Sequence, residues 1–128
     1  MSNIGYIALY LTHIRDQVKF YHWSTKYIAR HTASDTFVTS LTAKTDRLIE
    51  VMQGSENKRI RIPDNFKSFK FKNETDTSIV KILENFKDWL TNIFPSYLNK
   101  KLPNSDILNI RDDILADVNN TLYLFTFS

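Results

Sequence analysis

Apolar residues recur three or four positions apart in four separate blocks, and this period limits the chain to very few folds. In the first block Ile4, Ile7, Leu11, Ile14, Val18, Tyr21 and Thr25 share one helical face. That spacing predicts an amphipathic helix over 4–24. A break near Ser24 and Thr25, either of which can cap a following helix, leads to a second helix over 27–53. Its apolar face is Phe37, Val38, Leu41, Thr45, Leu48 and Met52, and Gly54 reads as its stop. A third helix over 76–97 carries Ile79, Ile82, Leu83, Phe86, Leu90, Ile93 and Tyr97. Thr75, Asp76 or Thr77 can cap it, and Pro95 should kink it or end it early. A fourth over 105–124 carries Ile107, Ile110, Ile114, Val118 and Leu122, with Phe125 just beyond.

Between the second and third helices, over 55–75, the helical period is lost. Arg59, Ile60, Arg61 and Ile62 alternate, and Pro63-Asp64-Asn65 reads as a turn. Either a small hairpin or a structured loop that packs its phenylalanines on the helices fits this pattern. Four helices, two short connections and one long crossover predict an all-α four-helix bundle, with residues 1–128 as one domain. Trp89, Phe86 and Phe94 are expected in its core.

Composition removes several chemistries. With no cysteine, thiolate catalysis, zinc fingers and iron–sulfur clusters are excluded. With two isolated glycines there is no Gly-rich phosphate loop. No apolar run is long enough for a membrane span. The opening stretch has no basic leader region or small-residue cleavage site, so the chain is expected to be intracellular and not secreted. The net charge of +3 is concentrated: residues 55–72 hold Lys58, Arg59, Arg61, Lys67, Lys70 and Lys72 against Glu56 and Asp64. A basic stretch interleaved with Phe66, Phe69 and Phe71 can contact nucleic acid by stacking and phosphate pairing. A loop that packs its phenylalanines on the fold and leaves its lysines solvated is the plainer reading.

The polar face of the second helix carries the chemistry. Counting about 100° per residue from His31, Asp35 falls near 40°, Asp46 near 60° and Glu50 near 100°. The arc holds an imidazole and three carboxylates, with no Lys or Arg from the same helix. Like charges four apart repel, so something outside this helix should neutralise them. Imidazole plus carboxylate is the donor set of non-haem iron, with manganese or zinc as alternatives. His22 lies close to the apolar stripe of the first helix and needs a partner. His31 and Asp35 are separated from Asp46 and Glu50 by about 16–28 Å along the axis. One chain cannot bring both groups to one ion, but antiparallel pairing of two copies of this helix can. The spacing therefore predicts a homodimer with two equivalent intersubunit sites. His13, on the opposite side of the first helix, is expected at the surface or in a subunit contact. Asp106, Asp112, Asp113 and Asp117 beside Arg111 read as a solvated face.

His22-Trp23, then His31-x-x-x-Asp35, then Asp46-x-x-x-Glu50, resembles the mini-ferritins of the Dps family over roughly residues 5–54. The His31-to-Glu50 spacing matches without a gap, while the turn before His31 is shorter than in that family. The segment also resembles an uncharacterised ferritin-like family of large DNA viruses, which shares the Tyr-His-Trp pattern and a C-terminal stretch like Leu122-Tyr123-Leu124.

The resemblance implies a ferritin-like fold and a ferroxidase centre at a dimer two-fold. There His22, His31 and Asp35 of one subunit would face Asp46 and Glu50 of the other, with Trp23 close by. Iron would be oxidised there, usually by hydrogen peroxide, limiting peroxide damage. A dodecameric shell and a cytoplasmic, nucleoid-associated or virion-associated location go with it. The crossover departs from the family, where a short helix usually helps to build the dimer. A lysine-rich N-terminal tail drives DNA binding in some members, and with the first helix starting almost at once that mode is not expected here. The alternative reading is a non-catalytic scaffold or interaction protein, virion- or nucleic-acid-associated, that keeps the cluster as a structural or vestigial metal site.

Overall fold

The computed structural model describes residues 3–127, and all of its regular structure is helical. Helix α1 spans Ile4–Ser24, α2 Ile28–Glu56, α3 Ser78–Asp88 and α4 Ser105–Leu124. No strand forms among the described residues, so the crossover over 57–77 is a loop and the hairpin is not made. Helix α1 packs on α2, α2 on α4, α4 on α3, and α3 closes back on α1. The four predicted stripes meet in one core: Ile7, Leu11, Val18, Phe37, Leu41, Leu83, Phe86, Leu90, Ile114 and Val118 are all buried. Ile93, expected on the inner face of the third helix, is exposed.

Helix ends differ from expectation in instructive ways. Gly54 does not stop α2. The helix runs on to Glu56, and Asn57 takes the left-handed conformation at φ 52° and ψ 46°. Asn tolerates that region better than most residues because its short amide bonds locally. Lys58 N–H then donates to Gln53 O at 3.1 Å and turns the chain away. Neither Ser24 nor Thr25 caps α2 through a hydrogen bond to its first turn. Ahead of α3, Thr75 Oγ1 accepts Ser78 N–H at 3.0 Å while Ser78 Oγ accepts Thr75 N–H at 2.8 Å, a reciprocal cap.

The third helix is not one α-helix to 97. After Asp88 the backbone widens into a π segment, Trp89–Ile93, then tightens into a 3-10 turn, Phe94–Tyr97. In the wider register Leu90 O would look to the N–H of residue 95, which is proline and has none. Arg111 supplies the missing donor: its Nη1 bonds Leu90 O at 2.9 Å.

The crossover is strapped to α1. Tyr6, Tyr10, His13, Gln17 and Phe20 form a second helical face of α1, apart from the core stripe. Phe69 packs its ring on Tyr6, Tyr10 and His13, at 6.2, 5.9 and 4.8 Å between centroids. Gln17 holds the strap like a strand edge, its amide donating to Lys72 O at 2.7 Å and accepting from Lys72 N–H at 3.2 Å. Gln53 Oε1 accepts Ile60 N–H at 2.6 Å at the other end. His13, expected at the surface or in a subunit contact, is therefore half-buried within its own chain under Phe69 and Phe71. Asp117 is likewise not simply solvated: Ser40 Oγ and Lys44 Nζ both reach its Oδ2, at 2.6 and 2.5 Å, and lock α2 to α4.

Candidate metal centre

The three-residue turn over 25–27 folds α2 back on α1, so the last turn of α1 meets the first turn of α2. That brings His22 and His31 face to face, 4.0 Å between ring centroids and 20° from parallel. Each ring is tied to the other's backbone. His22 Nδ1 lies 2.7 Å from His31 O, and His31 Nδ1 lies 3.0 Å from His22 O. A carbonyl oxygen can only accept, so each Nδ1 carries a proton and donates it. In the neutral ring the lone pair is then on Nε2, the form in which ligating histidines are usually held. Ser34, fully buried, donates to His31 O at 3.1 Å and lies 3.0 Å from His22 Nδ1. His22 is buried and His31 exposed, so the pair bridges the interior and the surface.

Asp35 joins this cluster one turn further along α2. Its Oδ1 is 3.9 Å from His22 Nε2. Two donors that far apart can share one ion at ordinary bond lengths of about 2.0–2.2 Å. The same oxygen is 3.4 Å from Lys19 Nζ of α1. The cation-free arc of α2 is thus answered, at Asp35, by a lysine from the neighbouring helix. Lys19 also lies 5.4 Å from the centre of the Trp23 ring, which is 63% exposed and edge-on to Phe20.

Asp46 and Glu50 are on the same unbroken helix and exposed, and their carboxylates have no hydrogen bond or ion pair among the described residues. Eleven residues separate Asp46 from Asp35, which is about 16 Å of helix. One chain therefore gathers His22, His31 and Asp35 at one end and leaves Asp46 and Glu50 at the other. Among the described residues no group of three or more His, Asp or Glu is arranged to hold an ion within one chain. Glu50 instead borders an open cleft of about 420 Å³ with Gln53, Gly54, Asn57, Lys58 and Arg59.

The basic crossover presents Lys58, Arg59, Lys67, Lys70 and Lys72 to solvent without an acidic partner among the described residues. Arg61 is engaged by both oxygens of Asp64, at 3.0 and 3.1 Å. Phe69 packs on α1 and Phe66 packs edge-on against Phe69, so both rings are engaged in the fold. Phe71 remains 52% exposed against Phe20.

Two residues of the cluster were not singled out in the sequence. Lys19 precedes His22 by three residues and Ser34 follows His31 by three, so each shares its histidine's helical face. That spacing was the available signal.

The molecule defined this far is an all-α chain with two braced imidazoles and a carboxylate at one helix junction. It belongs to a family of unknown function, DUF5856, which it matches over residues 22–125. That span includes all five predicted donors. No curated protein matches the chain, and neither does any solved structure. No helix among the described residues is long and apolar enough to cross a membrane.

Proposed function

We propose that this chain is a ferritin-like, Dps-like metal-binding protein, that its working unit is a homodimer, and that Fe(II) is its substrate for oxidation. The observation that carries this reading is the reciprocal bracing of His22 and His31 through Nδ1, which leaves both Nε2 atoms for a ligand, with that of His22 facing Asp35 Oδ1. His22, His31 and Asp35 would hold the metal from one subunit, and the partner subunit's Asp46 and Glu50 would complete the donor set. Imidazole nitrogens suit Fe(II), and the carboxylates supply the negative charge that favours Fe(III). Zinc or manganese would fit the same donors. An ion that binds only the associated pair also stabilises it by mass action.

The test is ferric absorbance after anaerobic mixing with Fe(II) and hydrogen peroxide. Asp46→Ala and Glu50→Ala should each slow oxidation by tenfold or more, in keeping with about 10–100-fold losses for weakened metal sites. Added Zn(II) should raise Tm, and His31→Ala should abolish the rise. Unchanged oxidation rates in both acid variants would sink the site. So would full-affinity metal binding by a monomer.

A second reading is favoured by one feature of the same geometry. Both Nδ1 bonds close the α1–α2 turn whether or not an ion is present, so the clasp could serve a non-catalytic scaffold. Metal content separates the two: stoichiometric metal, removed by a chelator, belongs to the first reading, and negligible metal to the second.

A further inference from the structure

We propose that the crossover strap, with the side of α1 beneath it, is a docking surface for anionic lipid, by which the chain lies on a membrane surface without crossing it. The inference is independent of the metal-binding reading above. The strap runs antiparallel to α1. Arg61 O crosses Gly5 at the first turn, Phe69 follows on Tyr10 and His13, and Phe71 reaches Phe20, 5.4 Å between centroids, near the last turn. From Gly5 to Phe20 the face is about 22 Å long.

Along it, apolar side chains in water sit next to cations. Ile60 stands between Arg59 and Arg61, Ile62 follows Arg61, and Phe71 stands between Lys70 and Lys72. Ile60, Ile62, Phe20 and Phe71 are 44–60% exposed. Lys58, Arg59, Lys67, Lys70 and Lys72 face no acidic partner among the described residues. Helix α1 carries a single acid, Asp16, and Arg15 holds it at 3.0 Å. Cations interleaved with exposed apolar groups fit an interface that has acyl chains below and anionic headgroups above. Nucleic acid would attract the same cations, but the apolar groups favour lipid. Isoleucine has no π face for a base. Phe20 and Phe71 pack on each other at 54°, so they present no series of parallel rings. The surface is also clear of the metal cluster: Gln17, under the strap, and His22 lie about 140° apart around α1.

The experiment is co-sedimentation of the full chain with phosphatidylcholine vesicles, with and without about one-third phosphatidylserine. The chain should bind the mixed vesicles, release them as salt rises, and leave pure phosphatidylcholine unbound. Lys70→Gln/Lys72→Gln should weaken binding more than tenfold, at about fivefold per charge. Ile60→Ser/Ile62→Ser should weaken it at least tenfold, at about fourfold per buried methylene. Both pairs change exposed side chains, so their Tm should stay near that of wild type. Equal partitioning of wild type to the two vesicle types overturns the proposal whether or not the variants fold. So does an isoleucine pair that binds as wild type does, which would mean adsorption by charge alone. Binding to a single-stranded oligonucleotide without binding to vesicles overturns it in favour of nucleic acid.

Discussion

Two glycines in helices should respond to alanine with opposite signs. In an open helix Gly→Ala stabilises by about 1 kcal/mol, because alanine loses less backbone freedom. Gly54 is such a site: a Cβ built there meets nothing within 4 Å. Gly5 is not. The crossover passes over the first turn of α1 so closely that a Cβ would stand 1.9 Å from Arg61 O and 2.9 Å from Arg61 C. Both are backbone atoms, so no rotamer change relieves the contact. Arg61 would have to retreat by more than 1 Å to reach even 3.0 Å. Overpacking of this kind costs about 1–3 kcal/mol and outweighs the helix gain. Thermal unfolding should therefore show Gly54→Ala raised by roughly 2–5 °C and Gly5→Ala lowered by roughly 3–10 °C. Limited trypsin digestion gives a second readout, since Lys58, Arg59 and Lys67 lie on the strap that Gly5→Ala displaces. Gly5→Ala as stable as wild type, with no faster cleavage, would refute the close crossing. Gly54→Ala destabilised would refute the helical Gly54 and restore it as a left-handed stop.

The remaining predictions test the packing around the strap and the π segment. Arg111→Met should lower stability by about 1–3 kcal/mol by leaving Leu90 O unsatisfied; denaturant melts check it, and an unchanged midpoint would show that Pro95 does not need the compensation. Burial pushes His13 below its ordinary pKa of 6.5, against a weaker opposing pull from Asp16. The unfolded chain therefore binds the proton more readily, so this contribution is whole above pH 6.5 and is lost as the pH falls below it. In Tm measured against pH, His13→Leu should flatten the acid-side fall; an identical profile would remove His13 from the account.

The helices were legible because each buries one stripe, and burial of apolar area is the largest favourable term in folding. The positions read from spacing, Ile4 to Tyr21 on α1 and Ile107 to Val118 on α4, are the ones the core takes. What spacing could not show depends on residues far apart in sequence. The π segment exists through Pro95 locally and Arg111 remotely, and nothing in the block 76–97 announces Arg111. The strap on Tyr6, Tyr10, His13 and Gln17 was hidden for a similar reason. A helix with two apolar faces looks like one wide stripe until the chain that covers the second face is known. Gly54 misled because glycine is the commonest left-handed stop, while Asn57, three residues on, serves as well.

The candidate centre was legible in its angles and not in its charges. A helix fixes the directions of His31, Asp35, Asp46 and Glu50 from numbering alone, and α2 is unbroken across all four. Whether a cation from another helix reaches that face depends on how a three-residue turn phases α1 against α2, which numbering does not give. The turn delivers Lys19 to Asp35, while the carboxylates of Asp46 and Glu50 receive no partner among the described residues. The two ends of α2 are thus chemically unlike: one has imidazoles and a neutralised carboxylate, the other has bare carboxylates and, across a cleft, Lys58 and Arg59. If α2 meets a second copy about a two-fold, antiparallel pairing sets unlike ends together twice and like ends never. Parallel pairing would set the bare carboxylates of both chains side by side at full repulsion. The charge asymmetry along this one helix therefore favours the same antiparallel arrangement that a shared metal site requires, by an argument that needs no metal.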